Sequence, residues 1–320
     1  MSDQNTKQIT LKFFYDVPLE VQRIFANQIK WIIDEWLGDV PPLLMAILVV
    51  PEGHIPQTIN DYYAQTDFPA ASYTQGPHSP EGVAAYGETE GNPHVVIIFD
   101  DRLIRRVTPQ GTINDIASTV LEEFYHAEIY SLQVKTLGPL STLWNGPICR
   151  ARLRRISALF HDEYAVNRKK STLYQKTGLG SIAYGESISN RLNNGHQLLS
   201  ALVENASKGQ IPSDEAVTQS LEIINRYIFD PLARNAAYIA GNPQDNHPNN
   251  DAHLSEFYKK VKPFWLEIET QLQHSFDSGF EQYLPALDSI VETLKSFCSS
   301  IGIEFTDQPD HDYCVTFRTN

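Results

Sequence analysis

His94-Val95-Val96-Ile97-Ile98-Phe99, closed by Asp100 and Asp101, is the stretch on which the fold turns. It is short, β-branched and apolar, and it predicts a strand. Upstream, Leu43–Val50 is a second continuous apolar run, ended by Pro51, which suits a buried strand. Downstream, after Pro109-Gln110-Gly111, Thr112 and Asp115 have the spacing of a capping box, opening a helix that runs to about Lys135. Strands leading into a long helix, with little but helical periodicity beyond, predict an α+β fold.

Working outward, Val21, Ile24, Phe25, Ile29, Ile32, Ile33 and Trp36 recur at helical spacing over Leu19–Leu37, and Gly38 ends the pattern. Residues 51–93 are rich in Pro, Gly, Ser, Tyr and Asp and read as long loops around one short strand at Val83–Tyr86. Asn145-Gly146-Pro147 opens a helix to about Lys170, with proline near its first turn. Gly178, Gly180 and Gly185 mark a break. Helical patterns then cover 186–207, 213–240, 251–277 and 280–300, with Pro243–Asn250 as a polar linker and Ile301–Asn320 as a strand or tail. The expected division is an N-terminal α/β lobe over 1–137, a helical lobe over 138–300, and the terminal segment 301–320.

Composition narrows the chemistry. The 320 residues are 42% hydrophobic and carry 39 acidic against 25 basic side chains, a net charge of −14, so the chain can bury a large core under an acidic surface. Such a surface repels phosphate backbones and anionic lipid, which argues against nucleic-acid and membrane partners. Met1–Lys12 lacks the layout of a secretory signal, and the longest apolar run, Val40–Val50, is far short of the ~20 residues of a membrane span. Three scattered cysteines, Cys149, Cys298 and Cys314, form no disulfide framework and no CxxC. A reducing, cytoplasmic setting is expected. No Gly-x-Ser-x-Gly elbow occurs, and Gly178-x-Gly180 is too short to cradle phosphate.

One cluster stands out. Glu122 and His126 are four apart and share a helical face, and Glu123 precedes His126 by three. Two carboxylates and an imidazole on one turn suit a bound cation, although the same spacing fits an exposed acidic helix face. On the next helix Ile156, Leu159, Phe160, Glu163, Val166 and Asn167 form one stripe, so Glu163 is flanked by apolar groups and needs a cation or hydrogen bonds. His161 and Asp162 could serve in its place but fit a solvated face better. Arg150, Arg152, Arg154 and Arg155 read as a solvated run pairing with the protein's own carboxylates. Tyr227, Phe229 and Tyr238 read as core.

Leu121-Glu122-Glu123-Phe124-Tyr125-His126 resembles the His-Glu-x-x-His helix motif of zincin metallopeptidases, with Glu in place of the first His. Glu163-Tyr164-Ala165-Val166-Asn167-Arg168 is similar to the Glu-x-x-x-Asp segment of glutamate-type zincins, with Asn in place of Asp. The likeness covers roughly residues 19–170. It implies a zincin-like small sheet whose edge strand, His94–Phe99, is the wall along which substrate lies, followed by a mostly helical C-terminal lobe. It also implies a metal-dependent hydrolase of the peptidase type, with a peptide or protein substrate. His126, Glu163 and Glu122 would be metal ligands, Glu123 the general base, and Asn167 a donor to the carboxylate at 122. Zinc is the metal implied, and the extra carboxylate favours manganese or iron as substitutes. The alternative is a zincin-fold binding or regulatory protein without activity. A carboxylate di-iron bundle would need a second Glu-x-x-His, which the sequence lacks.

Overall fold

The computed structural model describes residues 9–67, 80–107, 113–141, 148–177, 187–243, 251–308 and 313–318. Two compact units divide the chain, Met1–Leu140 and Ser141–Asn320.

The first unit is built on a four-stranded sheet. Its strands are β1 (Thr10–Phe13), β2 (Leu44–Val50), β3 (Gly82–Thr89) and β4 (Asn92–Asp100). They lie in the order β1-β2-β4-β3, with β1–β2 and β2–β4 parallel and β3–β4 antiparallel. The strand run 94–99 is therefore central, paired on both sides, and not the expected edge. The edge beside it is β3. Here the reason is in the residues: Val95, Ile97 and Phe99 point to one face of the sheet, Val96 and Ile98 to the other, and all five are buried. A strand apolar on both faces needs cover on both, which is the condition of an interior parallel strand.

Each face has its cover. Helix α2 (Ile55–Tyr63) lies within the stretch expected to be loop, and buries Ile55 and Ile59 against Ala46, Val50, Val96 and Ile98. Pro56 fits its first turn, where no intrahelical N–H bond is required. On the opposite face, Phe25 of α1 (Leu19–Ile32) meets Phe99 edge-on at 6.1 Å. A π-helical turn, Ile33–Leu37, continues α1 and stops at Gly38, whose φ of +81° suits glycine. Asp100 caps the short α3 (Asp101–Arg105) through the Arg102 N–H and is ion-paired to the Arg102 guanidinium. The long helix α4 (Asn114–Leu137) also packs on β3 and β4. Its N-cap is Ile113, without a side-chain cap, and Thr112 lies outside the described residues.

The second unit is helical: α5 (Ile148–Thr177), α6 (Ile188–Ser207), α7 (Ser213–Ile223), α8 (Asp230–Gly241), α9 (Glu256–Asp277) and α10 (Tyr283–Ser300). A π-helical turn, Ile224–Phe229, joins α7 to α8. Asn145–Pro147, the three glycines 178, 180 and 185, and most of the Pro243–Asn250 linker lie outside the described residues. The core gathers Phe229, Phe257, Trp265, Leu294 and Phe297, and includes Cys298, whose thiol burial pushes up to about 12. Tyr238 is buried and Tyr227 packs against the core, as expected. The terminal segment forms a two-stranded hairpin, β5 (Ile303–Asp307) with β6 (Tyr313–Phe317), rather than one strand. Among the described residues no helix is long and apolar enough to cross a membrane. The molecule is thus mixed α/β, with a small sheet and a mostly helical C-terminal part.

Candidate metal centre

Helix α4 carries Glu122, Glu123 and His126 on adjacent turns of regular helix. The three differ in burial: Glu122 and His126 are half-buried, while Glu123 is 7% exposed. Successive helical residues are turned by about 100°, so Glu123 cannot share the face of its neighbour. It faces β3 instead. A Cβ placed on Gly82 would come within 2.9 Å of Glu123 Cγ and equally close to the Phe99 ring. Glycine at the first position of β3 is what lets this carboxylate side chain lie against the edge strand. On the same helix Tyr130 stacks near His126 at 6.4 Å between ring centroids, and Tyr86 of β3 meets Tyr130 at 5.7 Å. Tyr86 in turn donates its hydroxyl to buried Glu88 and accepts from the Leu140 N–H at 3.0 Å. Burial, then the bond to Glu88, holds the Tyr86 hydroxyl well above its ordinary pKa, so it stays protonated. One aromatic row thus links the His126 turn to the edge strand.

Helix α5 carries Glu163 and Asn167. Glu163 has a side-chain exposure of 18%, and its Oε2 accepts from Arg234 Nη2 of α8 at 2.8 Å. Asn167 Nδ2 donates to the Glu163 main-chain oxygen at 2.8 Å, with a longer contact of 3.4 Å to Oε2. Arg234 Nε donates to Asp230 Oδ1, one turn earlier on α8, at 2.9 Å. Arg191 of α6 reaches the other Asp230 oxygen at 4.0 Å. Nothing in the sequence singles out Arg234. Its one local signal is the i, i+4 spacing to Asp230, which any exposed helix also shows.

What brings α8 so close to α5 is small side chains. Ala233 and Ala237 are fully buried. Beyond them, a Cβ on Gly241 would meet Ser171 Cβ at 2.7 Å and the Arg168 carbonyl oxygen at 2.8 Å. Ser171 Oγ donates to the Tyr238 carbonyl at 2.8 Å, so a polar bond closes the same crossing.

Three expectations around Glu163 are corrected. Leu159, placed on the apolar stripe, is 38% exposed. His161 is wholly buried rather than solvated: Nε2 lies 2.8 Å from Ser275 Oγ, and its ring stands edge-on to Phe280 and Tyr283. Asp162 is buried as well. Both belong to the core of the helical unit. The basic run fares as read at one position, since Arg154 pairs with Asp288 at 3.0 Å. Neither protein-family models, nor curated proteins, nor solved structures contain a match to this chain.

Proposed function

We propose that the chain is a metal-dependent hydrolase acting on peptides, with Glu122, His126 and Glu163 holding one divalent cation and Glu123 as general base. The single observation that carries this reading is the turn of α4 itself, where half-buried Glu122 and His126 lie four residues apart on one helical face and buried Glu123 lies beside them. With Glu163, which the likeness to glutamate-type zincins implies as the third ligand, two carboxylates and an imidazole would make the donor set of a catalytic zinc, or of manganese or iron. A cation bound there would polarise a carbonyl and lower the pKa of an adjacent water toward about 7. Glu123, buried next to β3, is the remaining carboxylate of the group and is suited to accept a proton from the attacking water. The outer edge of β3 suits an extended peptide, which would add as a further strand with Glu123 beside its backbone.

Metal analysis of purified protein tests the reading. About one equivalent of zinc, manganese or iron is expected, lost in His126→Ala together with peptide turnover and some thermal stability, because bound metal stabilises only the folded state. Metal-free wild type with unchanged turnover in His126→Ala would sink the proposal. Stoichiometric metal without turnover of any peptide would favour the binding-protein alternative.

A further inference from the structure

A second candidate site lies wholly within the helical unit and is independent of the metal site. On α6, His196, Leu199, Val203 and Glu204 recur at i, i+3, i+7 and i+8, so they share one face of the helix. Phe257 and Lys260, three apart, share a face at the start of α9. With Ile301, just past α10, these residues line a cleft of about 240 Å³.

The cleft has an apolar floor and a polar rim. Leu199, Val203 and Phe257 are buried, and Ile301 packs against the same core. The turn after α10 is held close to them: a Cβ on Gly302 would meet Val203 Cγ1 at 3.3 Å. His196 lies flat on the Phe257 ring, with 4.3 Å between centroids and 9° between planes, which fixes the plane of the imidazole. Lys260 is exposed and makes no ion pair among the described residues, while its neighbour Lys259 takes Glu256 at 2.7 Å. The carboxylate on the rim, Glu204, is already ion-paired with Lys208. Burial, then the charge of Lys260, lowers the His196 pKa below its ordinary value, so the imidazole is neutral at pH 7. The rim therefore presents one unpaired positive charge and one neutral ring able to donate an N–H.

We propose that this cleft binds a small monocarboxylic acid with an apolar body, its carboxylate on Lys260 and His196 and its body over Leu199, Val203 and Ile301. One unpaired positive charge suits one negative charge, whereas a phosphate dianion would keep part of its charge unmatched. An apolar cavity of about 150 Å³ holds a benzene ring, so the cleft has room for one ring, or a chain of similar size, and its carboxylate. The net charge of −14 does not prevent binding. Exposed charges are screened beyond about 8 Å at physiological salt, and Lys260 acts at contact.

NMR titration of the full chain, followed through the His196 ring signals and assigned with His196→Gln, tests this. The probes are benzoate and hexanoate, each with its neutral amide, and inorganic phosphate. At least one acid should shift the signals saturably in wild type, binding about 10-fold or more tightly than its amide, the scale of a hydrogen bond to a charged group. Lys260→Gln should weaken the acids about 10-fold and leave the amides unchanged, so that the discrimination disappears. Lys260→Arg keeps the charge and should retain it. Residue 260 is exposed, so both variants should melt with wild type. If one does not fold, the acid–amide comparison in wild type still decides. No saturable shift with either acid, acids and amides bound alike, or acid binding untouched in Lys260→Gln overturns the proposal. So does phosphate bound as tightly as the acids, which would mean a charge site indifferent to the apolar floor. None of these results bears on the metal reading, which stands or falls on metal content.

Discussion

Glu123 and Glu163 are both glutamates on long helices, yet they are held by opposite means. Glu123 is placed by shape: it packs where Gly82 presents no side chain, beside the Phe99 ring. Glu163 is placed by charge, through a guanidinium anchored on Asp230. In the function proposed above, the first would be the base and the second a ligand. In that proposal environment, rather than residue type, would separate the two roles.

The largest expected effect comes from removing the first role alone. Glu123→Gln keeps size and packing but has no basic oxygen. Turnover of a peptide library should fall by about 10²–10⁴, with metal content and melting temperature near wild type. Loss of metal in that variant would make Glu123 a ligand and dissolve the contrast with Glu163.

The two glycines sharpen the comparison. At Gly82 an added Cβ meets side-chain atoms, which can shift, whereas at Gly241 it meets the backbone oxygen of Arg168, which cannot shift alone. Gly241→Ala should therefore cost more stability, within the range of about 1–3 kcal/mol for overpacking, despite the better helix propensity of alanine. Gly82→Ala should cost less stability and more turnover, because Glu123 is one of the two side chains, with Phe99, that must give way. Melting curves and turnover for both variants check this, and the reverse ranking would break it.

How much of this is open to sequence reading depends on the range of each interaction. Glu122, Glu123, His126 and Glu163 stand out because helical spacing is local, and an acidic turn or a carboxylate on an apolar stripe can be seen without tertiary contacts. The strand at 94–99 is legible too, but not its place. Its lack of alternation is the signal for an interior strand, and it is outweighed by the expectation that substrate needs an edge there. The true edge, β3, is written in Gly82, Ala84, Ala85 and Gly87, residues of weak strand propensity, and at Gly82 and Gly87 an added Cβ would run into Glu123 and Phe99, and into Tyr62 and Thr66, respectively. Helix α2 is short and proline-led, so it hides among loop residues. Arg234 cannot be found from sequence, since its meaning lies in a partner on a distant helix.

The smallest effect concerns a carboxylate given neither role. Burial raises the pKa of Glu269 above its ordinary value, only partly offset by a hydrogen bond with Trp265. A folded-state pKa above the unfolded one means stability is fullest below the unfolded value and declines as pH rises through the folded one. Glu269→Gln lacks that titration. It should melt slightly above wild type near neutral pH and level with it below about pH 4. An equal difference at both pH values would show that Glu269 acts by packing alone.

The pairing of β3 with β4 also has a consequence in time. These strands are joined by a tight turn at Glu90 and Gly91, both with positive φ, whereas β1–β2 and β2–β4 pair in parallel across long intervening chain. Closing a short loop costs little entropy, and contacts between sequence neighbours form fastest. During refolding, pulse-labelled amide exchange should show Ala84–Thr89 and Asn92–Ile97 protected before Leu11–Phe13. The strand against which Glu123 rests would then be among the first parts of the sheet to exist, ahead of the strand β1 at its far edge.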